Sequence, residues 1–332
     1  MKVGQFGGFR FRRFKWSEHS TGLGFFMLFF LGIIVSWIGQ DFEGWPIFLS
    51  WMNFRNIIMQ ASYTGIIGLG MTLIIISGGI DLSVGSMAAF VSGMTIYFLN
   101  LFPPDSVGGV LLAVLFCLVL GCICGFLNGF MVTKGHLAPF IATLGTMAIF
   151  RSLILHISQA ANIFTDSEIY HLFGIADVLF IPLPIFIFIL LTVVLHLFLN
   201  NTRLGRYTCA VGANEQVARY SAINVNLVKL IPYIITGFTV AVSALLWSSR
   251  INCVFSGGDG VGYELEAIAA AVIGGTAMSG GKGSIIGAFL GAIMLGMINN
   301  MLLLGGVSSY LQQAARGLVI IAAVLLQYKN TK

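Results

Sequence analysis

Charged residues are scarce in this sequence of 332 residues: Asp, Glu, Lys and Arg together make up 9%, whereas hydrophobic residues make up 58%. A soluble globular protein carries about 25% charged residues. So few polar side chains cannot cover a water-facing surface, which argues against a soluble domain and indicates a lipid bilayer as the solvent. Because a membrane span needs roughly 17–25 residues, the chain has room for about ten spans.

Cysteines are also few, and their positions argue against a disulfide framework. Three of the five, Cys117, Cys122 and Cys124, lie in or beside one apolar run. Cys122 and Cys124 would also point to different faces of one helix. We therefore interpret the cysteines as small apolar residues.

Signatures of catalysis, metal binding and nucleotide binding are missing as well. The five histidines show no metal-ligand spacing, and neither H-E-x-x-H nor G-x-S-x-G occurs. The stretch GGKGS at 280–284 is similar to a phosphate loop, but the motif needs glycine where Thr276 stands and Ser or Thr where Gly283 stands. We expect no catalytic residue, no metal and no cofactor in this chain, and the net charge of +5 is no sign of nucleic-acid binding.

Long apolar runs are what the sequence has in abundance, and ten can be drawn. They are Leu23–Ile38, Ile57–Ile76, Val84–Leu101, Val107–Val132, Ala138–Ile157, Ile181–Leu199, Leu230–Ser249, Leu265–Ala277, Ser284–Leu304 and Tyr310–Gln327. The eighth run is short for a full span. The sequence therefore predicts an all-α integral membrane protein, a polytopic bundle of about ten transmembrane helices.

The distribution of Lys and Arg predicts the orientation of this bundle. With the N-terminus in the cytoplasm and every run crossing, thirteen Lys and Arg residues fall on the cytoplasmic side, and only Arg55 and Arg250 fall on the other side. This asymmetry follows the positive-inside rule. We expect residues 1–22 to form a basic cytoplasmic segment, 23–328 a single transmembrane domain, and 329–332 a cytoplasmic tail.

A segment rich in glycine and serine separates the second and third runs. Gly78 and Gly79 would break a helix. Asp81 or Ser83 would then cap the next helix, where the positive end of the helix dipole favours a carboxylate. The segment is either a structural cap at the membrane surface or a broken helix that lines or gates a polar path.

A similar segment recurs in the second half of the chain. Gly274 and Gly275, like Gly78 and Gly79, are followed by a serine and then by Gly-Ser at the start of an apolar run. Duplicated, glycine-interrupted segments point to a transport pathway, although 41 glycines make chance matches easy. We predict two pseudo-repeated halves, with these four glycines at a gate.

Other polar residues within the predicted spans are candidates for lining a path for a neutral solute. These candidates are Asn128, Thr143, Thr146, Asn299 and Asn300. Arg151 and Arg316 would also lie within spans, where charge is costly, and snorkelling to an interface is the simplest interpretation of Arg151. Close packing of helices is predicted by two rows of glycines spaced by four, Gly121, Gly125 and Gly129, and Gly283, Gly287 and Gly291.

The longest basic segment on the predicted cytoplasmic side, residues 200–229, is too polar to span a membrane. Ala213 to Ser221 can form a short helix with Asn214 as its cap. A helix lying on the cytoplasmic face suits docking to a soluble partner. The alternative is an ordinary solvated loop.

Five stretches together carry a resemblance to a known family. They are GMTLIIISGGIDLSVGSMAAF, PFIATLGT, TRLGRYTCAVGANEQVARYSAINV, GYELEAIAAAVIGGTAMSGGKGSIIGAFLGA and GVSSYLQQAARGLVIIAAVLL. From about Asn53 to Leu326 the chain resembles the membrane permease subunit of bacterial ATP-binding-cassette sugar importers, and within them the ribose-type branch. The order of the five stretches makes the resemblance specific.

The resemblance implies a multi-pass permease of the bacterial inner membrane that translocates ribose or a similar monosaccharide as a homo- or heterodimer. Two cytoplasmic ATPase subunits would bind the ATP, and a periplasmic or lipid-anchored binding protein would deliver the sugar. By the same resemblance, residues 200–229 form the segment that couples to the ATPase. The core of that segment is Gly212, Ala213, Asn214, Glu215, Ala218 and Ser221. Ala213 and Ala222 stand where the family usually has glycine, which would stiffen the coupling helix.

Two other classes of protein compete with this interpretation. A secondary transporter or channel for a small polar solute would work without an ATPase and would need intramembrane acids that carry protons. Asp81 is the only good candidate for such an acid. An integral membrane enzyme would need clustered acids, histidines or a nucleophile motif within its spans, and these are missing from the sequence.

Overall fold

The computed structural model describes residues 16–38 and 46–308, together with the single residues 311, 314, 317, 318 and 321. Its helices are α1 (Trp16–Ile38), α2 (Trp51–Ile76), α3 (Val84–Leu99), α4 (Val107–Thr133), α5 (Pro139–Ile157), α6 (Glu168–Ile175), α7 (Leu183–Asn201), α8 (Arg203–Ala213), α9 (Glu215–Tyr220), α10 (Val225–Ile251), α11 (Tyr263–Ile273) and α12 (Ile285–Leu304). Most of the basic N-terminal segment, most of the tenth predicted run, Arg316 and the tail 329–332 lie outside the described residues.

Short strands and one 3-10 turn complete the secondary structure of the described residues. The turn spans Ile47–Leu49. β1 (Ile163–Phe164) pairs antiparallel with β4 (Cys253–Val254), and β2 (Asp177–Val178) pairs antiparallel with β3 (Ile181–Pro182). The two pairs lie in the connections between helices, so the fold is all-helical in its framework.

The helices follow the predicted apolar runs closely, since each of the first nine runs coincides with a helix. Six of them, α2, α4, α5, α7, α10 and α12, are long and apolar enough to cross a membrane, and α3 is a shorter apolar helix. α11 has only 11 residues, or about 16 Å at 1.5 Å per residue, roughly half of a hydrocarbon core. The chain is therefore a helical, multi-pass membrane protein.

α2 lies at the centre of this bundle, and several other helices surround it. In the apolar window of α2, 78% of the residues are buried, whereas the corresponding fraction is 33% in α4, 28% in α5 and 33% in α7. α2 packs against α7, α10, α11 and α12. The outer helices expose Leu, Ile, Val and Phe side chains, as expected for a surface that faces lipid.

Glycine allows the closest helix contacts, as the two rows of glycines predicted. A Cβ placed on Gly125 of α4 would lie 2.3 Å from the carbonyl oxygen of Tyr233 in α10. One placed on Gly291 of α12 would lie 2.1 Å from the carbonyl oxygen of Ala270 in α11. The prediction of close helix packing is confirmed, because these backbones approach to a distance that no side chain allows.

Candidate translocation path and coupling surface

Two helix breaks lie together at one end of the bundle. α2 ends at Ile76 and α11 ends at Ile273, and in each case the second residue after the helix is a glycine with positive φ: 84° at Gly78 and 88° at Gly275. Gly281 donates its backbone N–H to the carbonyl oxygen of Ile76 at 2.9 Å. We call residues 77–83 and 274–284 the break pair.

The other two glycines predicted at the gate, Gly79 and Gly274, make close contacts with neighbouring elements. A Cβ on Gly79 would lie 2.7 Å from the hydroxyl oxygen of Tyr233 in α10. A Cβ on Gly274 would lie 2.4 Å from the carbonyl oxygen of Gly287 in α12. The break pair is therefore packed tightly against the bundle. Of the four predicted glycines, Gly78 and Gly275 turn the chain, while Gly79 and Gly274 let neighbouring backbone or side chains approach.

Asp81 is completely buried and belongs to a small polar network. Its Oδ1 accepts hydrogen bonds from the backbone N–H of Ser83 at 2.8 Å and from the Ser83 hydroxyl at 2.7 Å. Its Oδ2 accepts from Nδ2 of Asn128 in α4 at 3.0 Å. The same Nδ2 lies 2.8 Å from Ser83 Oγ. The network thus ties the first break to the start of α3 and to α4.

The predicted capping of α3 by Asp81 or Ser83 is wrong in its geometry. Ser83 is the N-cap residue, but its side chain makes no capping hydrogen bond. The reason is its helical backbone conformation, with φ −83° and ψ −12°, because a capping side chain needs an extended N-cap residue. Asp81 accepts from the amide of Ser83 itself and holds the turn before the helix.

The predicted coupling segment, residues 200–229, is helical along most of its length. The short predicted helix is present as α9, and Asn214 caps it by accepting from the N–H of Val217 at 3.0 Å. Its limits differ from the prediction: Ala213 is the last residue of α8, and Ser221 follows the end of α9. The extended backbone of Asn214, with φ −161° and ψ 104°, separates the two helices.

α9 presents one face to the bundle and the opposite face to solvent. Ala218 is buried in a cluster with Val211, Val225 and Val228. In contrast, Val217 is 58% exposed and Tyr220 is 89% exposed. Apolar side chains that stand out from a polar segment form a surface suited to a protein partner.

Glu215, at the start of α9, holds that helix to α10. Its carboxylate accepts hydrogen bonds from the Lys229 ammonium and, at 2.7 Å, from the Arg219 guanidinium. The hydrogen bond from Lys229 lowers the pKa of Glu215 below its ordinary value, and Arg219 adds to this effect against the partial burial of the carboxyl. Lys229 lies in α10, so the ion pair fixes the position of α9 against the bundle.

The end of α8 touches Ile76, the last residue of α2 directly before the first half of the break pair, and also the second half of the break pair. A Cβ on Gly212 would lie 1.7 Å from the carbonyl oxygen of Ile76 and 2.7 Å from the nitrogen of Gly281. A Cβ on Gly281 would lie 2.7 Å from Cα of Ala213, and one on Gly280 would lie 2.8 Å from the carbonyl oxygen of Gly212. These are contacts between backbones, and they lie within three residues of α9.

The remaining candidates for lining a path lie elsewhere. Thr143 and Thr146 are buried in α5, where their hydroxyls donate to the carbonyl oxygens of Pro139 at 2.8 Å and of Thr143 at 3.2 Å. Asn300 of α12 exchanges two hydrogen bonds with Asn53 of α2, at 2.7 and 3.0 Å. Asn299 lies beside Asn300 and is partly buried. The structure therefore groups Asn128 with the first break, while these other residues lie on separate helices.

Sequence reasoning missed a polar cluster around the connection between α10 and α11. Arg151 donates from its guanidinium to the carbonyl oxygens of Ser256 and Asp259, both at 2.8 Å. The Asp259 carboxylate accepts from the N–H of Phe255 at 2.9 Å and from Nε1 of Trp247 at 3.3 Å. Arg151 therefore holds this connection by two hydrogen bonds to its backbone. The glycine-rich stretch SGGDGVG at 256–262 is the signal that could have revealed it.

Comparison with known proteins identifies the family. Residues 53–324 match the family described as branched-chain amino acid transport system / permease component. The chain belongs to this family of permeases. The ribose import permease protein of Haemophilus influenzae is 36% identical to this permease, over 100% of this chain and 99% of the relative. The corresponding protein of Bacillus subtilis is 40% identical, over 92% of each chain.

A third relative of this permease is the D-allose transport system permease protein of Escherichia coli, which is 36% identical over 94% of this chain and 91% of the relative. No solved structure matches the chain at a significant level. The family predicted from the sequence is confirmed, and the permease is a transport subunit.

Proposed function

We propose that this permease carries ribose or a similar monosaccharide into a bacterial cell, and that ATP hydrolysis on separate subunits drives the transport. The observation that carries the proposal is the likeness to ribose import permeases at 36% and 40% identity over almost the whole chain. The D-allose relative supports a monosaccharide as the class of substrate. The permease itself would bind no ATP, since its only stretch similar to a phosphate loop lacks the required residues.

The proposed assembly lies in the inner membrane and contains two permease subunits, identical or different. Two ATPase subunits would bind on the cytoplasmic side, and a periplasmic or lipid-anchored binding protein would dock on the other side. The excess of Lys and Arg on one side supports cytoplasmic termini and a single transmembrane domain at 23–328. About ten helices in two pseudo-repeated halves would form that domain.

The coupling surface of this assembly would be the exposed face of α9, around Val217 and Tyr220. These two side chains are exposed although the segment that carries them is otherwise polar. Glu215 and Ala218 would act on the other side of α9, the first through its ion pair with Lys229 and the second by packing against the bundle. Asn214 and Ser221 would mark the two ends of the moving helix.

The motion of α9 would reach the path through the end of α8. Because Gly212 and Ala213 touch the break pair with no side chain between them, a displacement of α8 has to move Ile76 and Gly281 as well. The inner gate would then be the break pair, with Gly78 and Gly275 as its turning points. A packed contact of this kind transmits displacement because protein interiors have low compressibility.

The residues proposed for the path have two different roles. Asp81 and Ser83 would shape the first break, since the Asp81 carboxylate is buried and accepts three hydrogen bonds. This arrangement supports a structural role for Asp81 and speaks against a role as a proton carrier. A proton-carrying Asp81 would have favoured the alternative, a secondary transporter. Thr143, Thr146 and Asn299 stay candidates for contact with the sugar.

Reconstitution tests this function directly. The permease would be placed in proteoliposomes with its ATPase and binding protein, and the uptake of labelled ribose would be followed with and without ATP. We expect uptake only when all components and ATP are present. Uptake by the permease alone would contradict the proposal and favour a secondary transporter or channel. ATP-driven uptake of a different solute would refute the assignment of the sugar.

A further inference from the structure

The connection between α10 and α11, residues 252–262, lies partly inside the bundle: Cys253, Val254, Ser256 and Gly260 are buried, whereas Gly257 and Gly258 are exposed. We call these residues the outer loop. α10 has 27 residues, which is enough to cross a membrane, whereas α11 has 11 residues, or about 16 Å. Because both helices belong to the same bundle, the outer loop has to cover part of the distance that the short α11 leaves open.

The outer loop follows α3 over most of its length. Near its start, the outer loop contains β4, which pairs with β1. The carbonyl oxygen of Phe164 in β1 accepts a hydrogen bond at 2.8 Å from Nδ2 of Asn100, the residue that follows the end of α3. Near its end, Gly260 meets Gly85 in the first turn of α3: a Cβ on either glycine would lie 2.0 Å from the carbonyl oxygen of the other. Gly85 and Asn100 are separated by about 22 Å of helix.

Hydrogen bonds to several other elements hold the outer loop in place. Some are made by its backbone and others by its own side chains. Arg151 of α5 binds the carbonyl oxygens of Ser256 and Asp259. The Ser256 hydroxyl donates to the carbonyl oxygen of Ala161 at 2.9 Å, and Trp247 of α10 donates to Asp259. A loop held by a few such bonds opens at a lower free energy than a helix packed in the core.

Three of the four glycines in the outer loop, Gly257, Gly258 and Gly262, leave it room to move. Gly257 and Gly258 are exposed, and a Cβ on either would have no neighbour closer than 3.8 Å. Gly260 and Gly262 have positive φ values of 75° and 83°. Glycine enters this region without steric cost. Gly260 is packed against Gly85, so the chain can change direction at Gly257, Gly258 and Gly262, while Arg151 holds Ser256 and Asp259.

We propose that the outer loop is the outer gate of the permease and that Arg151 is the positioning residue that keeps it closed. The inner break at 77–83 leads directly into the turn of α3 on which Gly260 packs. The inner break and the outer loop thus both contact the first turn of α3, and a displacement of this turn shifts both. This proposal rests on the proposed transport function.

A reversible cross-link tests the gate. In a chain whose native cysteines are replaced, Leu155→Cys and Gly257→Cys would be joined by 1,2-ethanediyl bismethanethiosulfonate, which dithiothreitol removes. The sites are adjacent, because a Cβ on Gly257 would lie 3.9 Å from Cδ2 of Leu155. In the reconstituted complex we expect ribose uptake to fall more than tenfold after cross-linking and to recover on reduction.

A matched control joins the base of the outer loop to a strand with which it is already paired. This control is Phe164→Cys with Cys253 retained, since these positions face each other across β1 and β4. Uptake should survive this cross-link. Complete cross-linking of positions 155 and 257 with uptake within twofold of the reduced sample would overturn the proposal. The reduced variant, which carries no cross-link, has to show ATP-driven uptake. If it does, a negative result concerns the gate alone and not the proposed transport function.

The role of Arg151 has a second, separate test. Because the inner gate stays closed without ATP, the readout has to be the outer loop itself: amide hydrogen exchange would be measured at Gly258 and Asp259, whose N–H groups donate to the carbonyl oxygen of Phe255. The variants are Arg151→Met and Arg151→Lys, with Arg55→Met as the control. Arg55 forms a surface ion pair with Asp177, so its loss should not open the gate. We expect exchange to become at least fivefold faster for Met and less so for Lys. Reduced uptake with unchanged exchange would assign Arg151 a merely structural role and contradict the proposal.

Discussion

Gly212→Ala tests the contact between the coupling segment and the break pair. The added Cβ would lie 1.7 Å from the carbonyl oxygen of Ile76, whereas ordinary contacts are about 3.5 Å. The end of α8 therefore has to move away from Ile76 and Gly281 by nearly 2 Å. These two residues form the hydrogen bond that joins the end of α2 to the second half of the break pair. Overpacking of this kind costs about 1–3 kcal/mol, more than the helix gains from alanine, about 0.5–1 kcal/mol.

The assay measures ribose uptake per ATP hydrolysed in the reconstituted complex. For Gly212→Ala we expect a severalfold lower ratio, because ATP hydrolysis continues on the partner while the displacement no longer reaches the break pair. Gly108→Ala is the matched control, since the atom nearest to its Cβ would be 4.0 Å away. An unchanged ratio for Gly212→Ala, at equal amounts of folded protein, would refute the reasoning.

Three further predictions concern the ion pair and the buried acid. Glu215→Arg should lower uptake per ATP at least tenfold, because it places a cation against Lys229; Glu168→Arg, at the start of α6, is the control, and unchanged uptake would speak against coupling through α9. The Lys229 hydrogen bond lowers the pKa of Glu215 from its ordinary value of 4.5. The stability that this ion pair gives the folded protein is therefore complete above pH 4.5 and is lost as the pH falls below that value through the lowered pKa. The difference in melting temperature between wild type and Glu215→Gln should therefore shrink in acid, and a difference that grows would contradict the sign. Asp81→Asn should lower the free energy of unfolding in detergent by about 1–3 kcal/mol, because with its oxygen on the two Ser83 donors the amide nitrogen faces Nδ2 of Asn128, from which it cannot accept; an unchanged unfolding transition would refute the network.

Most of the helices could be predicted from the sequence, because hydropathy alone decides where a chain enters lipid. The run Val84–Leu101 became α3 at Val84–Leu99, and the run Val107–Val132 became α4 at Val107–Thr133. The breaks after α2 and α11 could also be predicted, since adjacent glycines interrupt the apolar runs there. Local composition determines these features, and no tertiary contact is needed to find them.

Contacts between distant segments could not be predicted in this way. The sequence predicts Gly212 in the coupling segment and Gly78 at the gate, but only the structure shows that the end of α8 meets Ile76 and Gly281. Arg151 likewise has its partners more than a hundred residues away, at Ser256 and Asp259. Hydrophobic periodicity carries no information about which loops approach each other.

The buried acid shows how tertiary context changes a local expectation. A carboxylate three residues before an apolar helix predicts a cap, yet Ser83 adopts a helical conformation and its hydroxyl turns to Asp81. Asn128 supplies the further donor from α4. The polar network replaces the cap, and it requires a partner that local sequence does not indicate.

The proposed coupling requires that α9 is a cytoplasmic docking surface for a separate ATPase. In a chain whose native cysteines are replaced, Val217→Cys, at a position that is 58% exposed, can be labelled with a membrane-impermeant thiol reagent in vesicles of known orientation. We predict labelling in inside-out vesicles, protection when the ATPase subunits are bound, and no labelling in right-side-out vesicles. Labelling in right-side-out vesicles, or labelling that the ATPase does not reduce, would contradict the account.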